Sequence, residues 1–264
     1  MGSDRQERLR YILRTLIEER QEYRSIEIPG DIVSMQRLMR AMLNVRPPMT
    51  VDSGFIAAQD AELREQLSEK GIVCTDDIAP SQADGRLRLW QGDITRLRVD
   101  AITNAANSQM LGCFVPLHGC IDNAIHSAAG VQLRLECNRM MEAQGYAEPT
   151  GRARLTPAYN LPSRYVLHTV GPIVPDGIPT PVHKRRLAEC YRSCLELADS
   201  RSLGSIAFCC ISTGEFRYPN REAAGIAVAT VTDYLDTHPE TSINTVIFNV
   251  FKDEDYSIYK ELLG

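Results

Sequence analysis

Residues 111–126 read LGCFVPLHGCIDNAIH and bring two cysteines and a histidine together in the spacing C-x4-H-x-C. Cys113, His118 and Cys120 offer two thiolates and an imidazole, the soft and borderline donors that select zinc, and Gly112 and Gly119 let the loop wrap tightly. Three donors leave a fourth position for water or substrate, as Lewis-acid chemistry requires, whereas one more cysteine would close the set and make the metal structural. Cys74, Cys137, Cys190, Cys194, Cys209 and Cys210 are all candidates for that closure, and the spacing by itself better suits buried unliganded thiols beside a surface histidine. Asp122 and His126, four residues apart, fall on one face of the following helix. A carboxylate in that first turn complements the helix dipole; one turn from a metal loop, it can also orient a water or accept a proton.

Other polar groups sit at turns. WQGDIT, residues 90–95, ends a strand in a glycine and an acid, so Asp93 can face a ligand's exocyclic amine or cap the next segment. STGEF, residues 212–216, follows the most apolar strand and precedes a helix, a turn whose backbone amides can cradle phosphate. The absence of a Walker lysine and of G-x-G-x-x-G argues against a kinase-like P-loop and a dinucleotide oxidoreductase. His168 in VLHTVGP is expected to hydrogen-bond within the core. Cys190 and Cys194, one helical turn apart, and Cys209-Cys210, inside a strand, are expected to pack rather than react.

The elements that position these groups follow from periodicity. Leu9, Ile12, Leu13, Leu16 and Ile17 form one helical stripe, and a second helix after Asp31 carries Met35, Leu38, Met39, Met42 and Leu43 before Pro47-Pro48. A third spans roughly Phe55 to Lys70, with Gly71 as its cap; the methionine stripe is read as buried packing. Composition turns small and polar near Ser81–Gly85, which divides a helical N-terminal extension, 1–85, from a second domain, 86–264. Beyond it, RLRLW, VDAITNAA, RYVLHTV, SIAFCCIS and NTVIFNVF read as strands. Helices are expected over His118 to Ala129 and on towards Ala143, then Val182–Ser200, Arg221–Asp236 and Glu254–Leu263. Strand–helix alternation means an α/β layer fold with a mostly parallel sheet and ligands beyond the strands' carboxyl ends.

With 44% hydrophobic and 24% charged residues the chain is an ordinary globular one, and eight cysteines without a visible signal peptide read as reduced thiols or metal ligands in a cytoplasmic protein. No apolar run reaches the ~18 residues of a membrane span. The net charge of −5 gives no general attraction to nucleic acid or membrane, so an anionic ligand must be held by local geometry.

Taken in order, GDIT, ITNAAN, CIDNAIHSAAG, HTVGP, ISTGEFRYP and FNVF resemble the macrodomain family over about Leu87 to Leu263. That resemblance implies a three-layer α/β/α macrodomain with a mixed, mostly parallel sheet that binds ADP-ribose. Relatives usually carry a glycine-rich loop after NAAN; the cysteine–histidine loop here and the helical extension in front resemble the zinc-dependent branch of protein-ADP-ribose hydrolases. The implied cofactor is Zn2+ on Cys113, His118 and Cys120. By the same resemblance Asp93 meets the adenine amino group with Ile94 beside it, and Phe251 packs on the adenine. Asn107 bonds the distal ribose, while Ser212, Thr213, Gly214, Glu215 and Phe216 wrap the diphosphate and that ribose. Asp122 would orient or deprotonate the nucleophile. Arg217 stands where many relatives have glycine. The implied activity is removal of mono-ADP-ribose from protein side chains, with ester-linked Asp or Glu the expected target and a partner ADP-ribosyltransferase expected to supply the substrate. An ADP-ribose reader whose zinc only braces the loop, and an O-acetyl-ADP-ribose deacetylase, are the alternative readings.

Overall fold

Aspartates open two of the first three helices. The computed structural model describes residues 2–264. Helix α1 is Gly2–Glu18, α2 is Ile32–Val45 and α3 is Ser53–Lys70. Asp31 accepts from Ser34 N and Asp52 from Phe55 N, each satisfying an amide that the first turn leaves free. Gly71, at φ 77°, ends α3 in a conformation that strains other residues. Leu9, Ile12, Leu13 and Leu16 meet Met35, Met39, Met42 and Phe55 in one buried cluster, so the methionine stripe is packing, and Val131 from beyond the extension joins it. Glu62, fully buried, sits among Arg5, Arg8 and Gln36, tying α1 and α2 to α3.

Eight short strands follow: β1 Val73–Cys74, β2 Leu87–Gln91, β3 Leu97–Arg98, β4 Ala101–Ala106, β5 Ala153–Pro157, β6 Tyr165–Val170, β7 Ser205–Phe208 and β8 Thr245–Val250. A six-stranded sheet runs β2-β8-β7-β4-β6-β5, parallel throughout except for β5, which pairs antiparallel with β6. All six residues of β8 are buried, as for a strand covered on both faces, whereas β5 ends in Pro157 at the sheet edge, where a missing donor costs no ladder bond. The small β1–β3 pair lies across position 85, joining residues on both sides of it.

Helices α4 (Ile121–Ala129), α5 (Val131–Gln144), α6 (Pro181–Asp199), α7 (Asn220–Thr237) and α8 (Asp253–Leu263) complete a three-layer α/β/α arrangement. The single long helix expected from His118 is in fact two: Cys120 caps α4, and Gly130 at φ 95° breaks it from α5. A side chain at Gly130 would also collide with Gln59, which reaches across from α3 to accept from Val131 N. The strand expected over 205–212 stops at Phe208; Cys209 N donates to Thr103 Oγ1, so Cys209-Cys210 lie just past the strand end. His168 behaves as expected, its Nδ1 beside Asn104 Nδ2 at 3.1 Å and Nε2 beside Thr156 Oγ1 at 2.9 Å, and burial pushes its pKa down to about 3, so it is neutral.

Candidate active site

The carboxyl ends of β2, β4, β6, β7 and β8 open onto one cleft of about 1080 Å3, where Gly92-Asp93, Asn107, Gly171, residues 209–216 and Phe251 follow their strands directly. This is where a parallel sheet leaves its loops free to diverge around a ligand.

At one end, Asp93 caps a short turn, accepting from Thr95 N at 3.1 Å and Thr95 Oγ1 at 2.6 Å, while its Oδ2 faces Lys70 Nζ at 3.3 Å. Burial would raise its pKa, but the Thr95 hydrogen bonds and the Lys70 charge outweigh that and hold it below the usual range. Asp93 therefore both caps the turn and borders the cleft. Ile94 beside it is almost fully buried and Phe251 is 76% exposed.

Across the middle runs the loop after β7. Ser212 adopts φ 69° and Arg217 φ 56°, and Tyr218 N bonds back to Ser212 O, closing the loop on itself. The left-handed Arg217 accounts for glycine being the easier residue there. Gly171 is needed opposite: a Cβ on it would overlap Ser212 Oγ. The amides of residues 212–216 donate to no protein acceptor among the described residues, and all five residues line the cleft. Phe216 packs on Ala106, Met110 and Val170, anchoring the loop's end.

At the other end the ligand atoms of Cys113, His118 and Cys120 all lie within 4.8 Å of one another. Cys113 Sγ is 3.7 Å from His118 Nδ1. A tetrahedron with Zn–S of about 2.3 Å and Zn–N of about 2.0 Å has S···N edges of about 3.5 Å, so the donor set and its spacing fit zinc. His118 Nε2 faces Glu215 Oε1 at 3.5 Å, a carboxylate able to fix the ring so that Nδ1 is the donor. Burial pushes the Cys120 thiol up and Cys113 and Asp122 add to it, although Asn123 N donates to its sulfur. A divalent cation reverses that preference. Cys74, Cys137, Cys190, Cys194, Cys209 and Cys210 do not join this group.

Beneath it Asp122, 4% exposed, accepts from Asn104 Nδ2 at 2.8 Å through Oδ1, while Oδ2 has only a 3.4 Å approach from Asn107 Nδ2. Burial pushes Asp122 up to about 6, against the pull of Asn104 and Arg134. Asn107 also donates to Gly112 O at 3.1 Å and accepts from Gln109 N at 2.9 Å, which ties it to the loop that carries Cys113. His126 does share the face of Asp122, at 3.5 Å, but burial holds it well below its usual pKa, so the contact is not an ion pair. Its ring supports Gly112, where a Cβ would lie 2.9 Å from the ring carbon and φ is 83°.

Sequence reasoning missed Lys70, Arg40, Asn44 and Arg134. All four reach the cleft or the elements around it from residues 23 to 83 positions away, a separation that no local pattern signals.

A parallel α/β/α sandwich with unclaimed amides at its switch loops defines an anionic-ligand-binding domain. The Macro domain family matches residues 103–227. The chain is 46% identical over 260 residues to a protein-ADP-ribose hydrolase of Treponema medium, 98% of each chain, and 45% identical over 254 residues to one of Staphylococcus aureus strain MRSA252, 96% of this chain and 94% of the relative. The Trypanosoma brucei macrodomain in complex with ADP-ribose superposes with a TM-score of 0.66 at 32% identity, covering 85% of this chain and 95% of that one. The chain belongs to the protein-ADP-ribose hydrolase family of macro domain enzymes.

Proposed function

We propose that the protein removes mono-ADP-ribose from modified protein side chains, with ester-linked Asp or Glu as the target, and that ADP-ribose lies along the cleft from Asp93 and Phe251 to residues 113–122. One observation carries the reading: a single cleft holds a row of unclaimed amides, 212–216, and a Cys–His–Cys cluster above a buried carboxylate. The amides provide diphosphate donors in a chain whose net charge of −5 offers no broad attraction. Phe251 presents an exposed ring for adenine to stack on, and Asp93 Oδ2 an acceptor for its amino group. Asn107 turns its amide from Gly112 O and Asp122 to the distal ribose.

Cys113, His118 and Cys120 would hold Zn2+, which when bound supplies positive charge to polarise a ribose or ester oxygen, or to lower the pKa of a water towards about 7. Asp122 orients and deprotonates the attacking water through Oδ2, since Oδ1 is already held by Asn104. One water is consumed, and ADP-ribose and a free carboxyl group leave. The names of the Treponema and Staphylococcus relatives support the reaction, and the ADP-ribose complex of the Trypanosoma macrodomain supports the ligand. The modified protein has to be made by an ADP-ribosyltransferase, the proposed partner activity. Eight free cysteines suit a reducing, cytoplasmic setting.

The test begins with metal analysis and continues with zinc-loaded protein incubated with a protein mono-ADP-ribosylated on acidic residues, following free ADP-ribose. Turnover that disappears in Cys113→Ala and His118→Ala while ADP-ribose still binds supports the reading. Tight binding without turnover sinks it in favour of a reader, and turnover of O-acetyl-ADP-ribose alone makes the protein a deacetylase.

A further inference from the structure

We propose that the helical N-terminal segment is part of the metal-binding apparatus: Asn44 and Arg40 on α2 are positioning residues that hold residues 111–120 in the conformation gathering Cys113, His118 and Cys120. This rests on reading those three as zinc ligands.

The loop has little to hold itself with. Within residues 111–120 a single backbone hydrogen bond forms among the described residues, His118 N to Val115 O at 3.2 Å. Five of its peptide groups are met by side chains from outside. Arg134 Nε donates to Leu111 O at 2.7 Å, Asn107 Nδ2 to Gly112 O at 3.1 Å and Asn123 Nδ2 to Val115 O at 3.0 Å. The remaining two come from α2: Asn44 Oδ1 accepts from Leu117 N at 2.9 Å, and Arg40 Nη2 donates to His118 O at 3.4 Å.

The two α2 contacts bear directly on the ligands. Leu117 precedes His118 and is held at φ 55°, a left-handed conformation that a branched side chain keeps only where its surroundings hold it. Asn44 is 1% exposed, and its amide orientation is settled because Nδ2 donates to Ser127 Oγ at 2.9 Å, leaving Oδ1 for the Leu117 amide. Arg40 Nη2 also bonds Asn123 Oδ1 at 2.9 Å, fixing the side chain whose own backbone amide donates to Cys120 Sγ at 3.4 Å. Arg40 and Asn44, four residues apart, share one face of α2, while Met35, Met39 and Met42 fill the helical core from another. A helix serving only to bury apolar surface needs neither polar contact.

Zinc affinity of the full chain is measured by competition with a chromophoric chelator for wild type, Asn44→Ala, Asn44→Asp and Arg40→Met, alongside unfolding midpoints and ADP-ribose titrations of the metal-free proteins. Asn44→Ala and Arg40→Met should each weaken zinc by about 10-fold or more, as losing the groups that orient ligands does. Asn44→Asp keeps the acceptor for Leu117 N and should stay within about threefold of wild type, and the metal-free ADP-ribose affinity of both Asn44 variants, whose position does not line the cleft, should also change less than about threefold. Should Asn44→Ala not fold, Arg40→Met carries the test, Arg40 being only half-buried. Wild-type zinc affinity in both Asn44→Ala and Arg40→Met, or an Asn44→Asp protein as weak as Asn44→Ala, overturns the proposal while leaving the zinc reading intact. A wild-type protein that takes up no zinc overturns both.

Discussion

Replacing Gly171 by alanine places a methyl group against the loop that lines the middle of the cleft. Built on the existing backbone, that carbon overlaps Ser212 Oγ and lies 2.9 Å from Ile211 Cγ2 and 3.3 Å from Ser212 Cβ. Ser212 has little freedom to yield, being 6% exposed and already left-handed at φ 69°. Overpacking of this kind costs about 1–3 kcal/mol, and even if the Ser212 hydroxyl turns aside, the contact with Ile211 presses residues 211–213 away from β6. If the loop moves, the free amides of 212–216 shift relative to the rest of the cleft, and an ADP-ribose dissociation constant should rise by about 5- to 150-fold, since 1.4 kcal/mol is tenfold. If it does not, the same strain appears as a lower unfolding midpoint. Calorimetric ligand titration together with differential scanning calorimetry reads both. Adding Ser212→Gly removes the colliding hydroxyl and suits the positive φ, so the double variant should recover most of the loss. A Gly171→Ala protein that binds and melts as wild type does would refute the reasoning about how this loop is held.

Two further outcomes follow from the structure. Burial raises the Glu62 pKa, but hydrogen bonds from Arg5, Gln36, Gln66 and Arg8 outweigh it and leave the group below its usual value. The stability it contributes is complete above the unfolded glutamate pKa of about 4.3 and is lost as pH falls through the lower native value. Urea unfolding between about pH 5 and 2 should therefore show a shallower acid slope in Glu62→Gln, with about 3 kcal/mol lost at neutral pH because Arg5 keeps only Glu65 and Glu69; equal slopes would exclude it. Phe251→Ala, at a 76% exposed position, should leave stability within about 0.5 kcal/mol yet cost ADP-ribose about 1–3 kcal/mol of stacking, and unchanged affinity would remove Phe251 from the ligand's path.

Much of this was legible in the residue order because periodicity and turn chemistry are local. The stripes of α1 and α2, the aspartate before α2, the glycine that ends α3, and the apolar runs of β6 and β8 all appear in the structure. So does the grouping of Cys113, His118 and Cys120. The break at Gly130 was masked by apolar spacing that continues on both sides of it, and its cause, a glutamine from α3, is 71 positions away. Asp93 illustrates a second limit: its cap partner Thr95 is two residues on, but its cation, Lys70, arrives from the end of α3. Pairings of that kind depend on how α3 docks, which no short window of residues encodes.

Arg134 is 6% exposed, and its guanidinium touches Leu43 O, Arg46 O and Leu111 O while lying 4.4 Å above the Phe114 ring. One side chain thus rivets the end of α2 to both flanks of Cys113. Grafting residues 111–120 onto a macro domain without these helices would transplant three donors and leave the rivet with nothing to grip on one side. The helices and the loop are better regarded as a single module, to be moved, trimmed or recombined together.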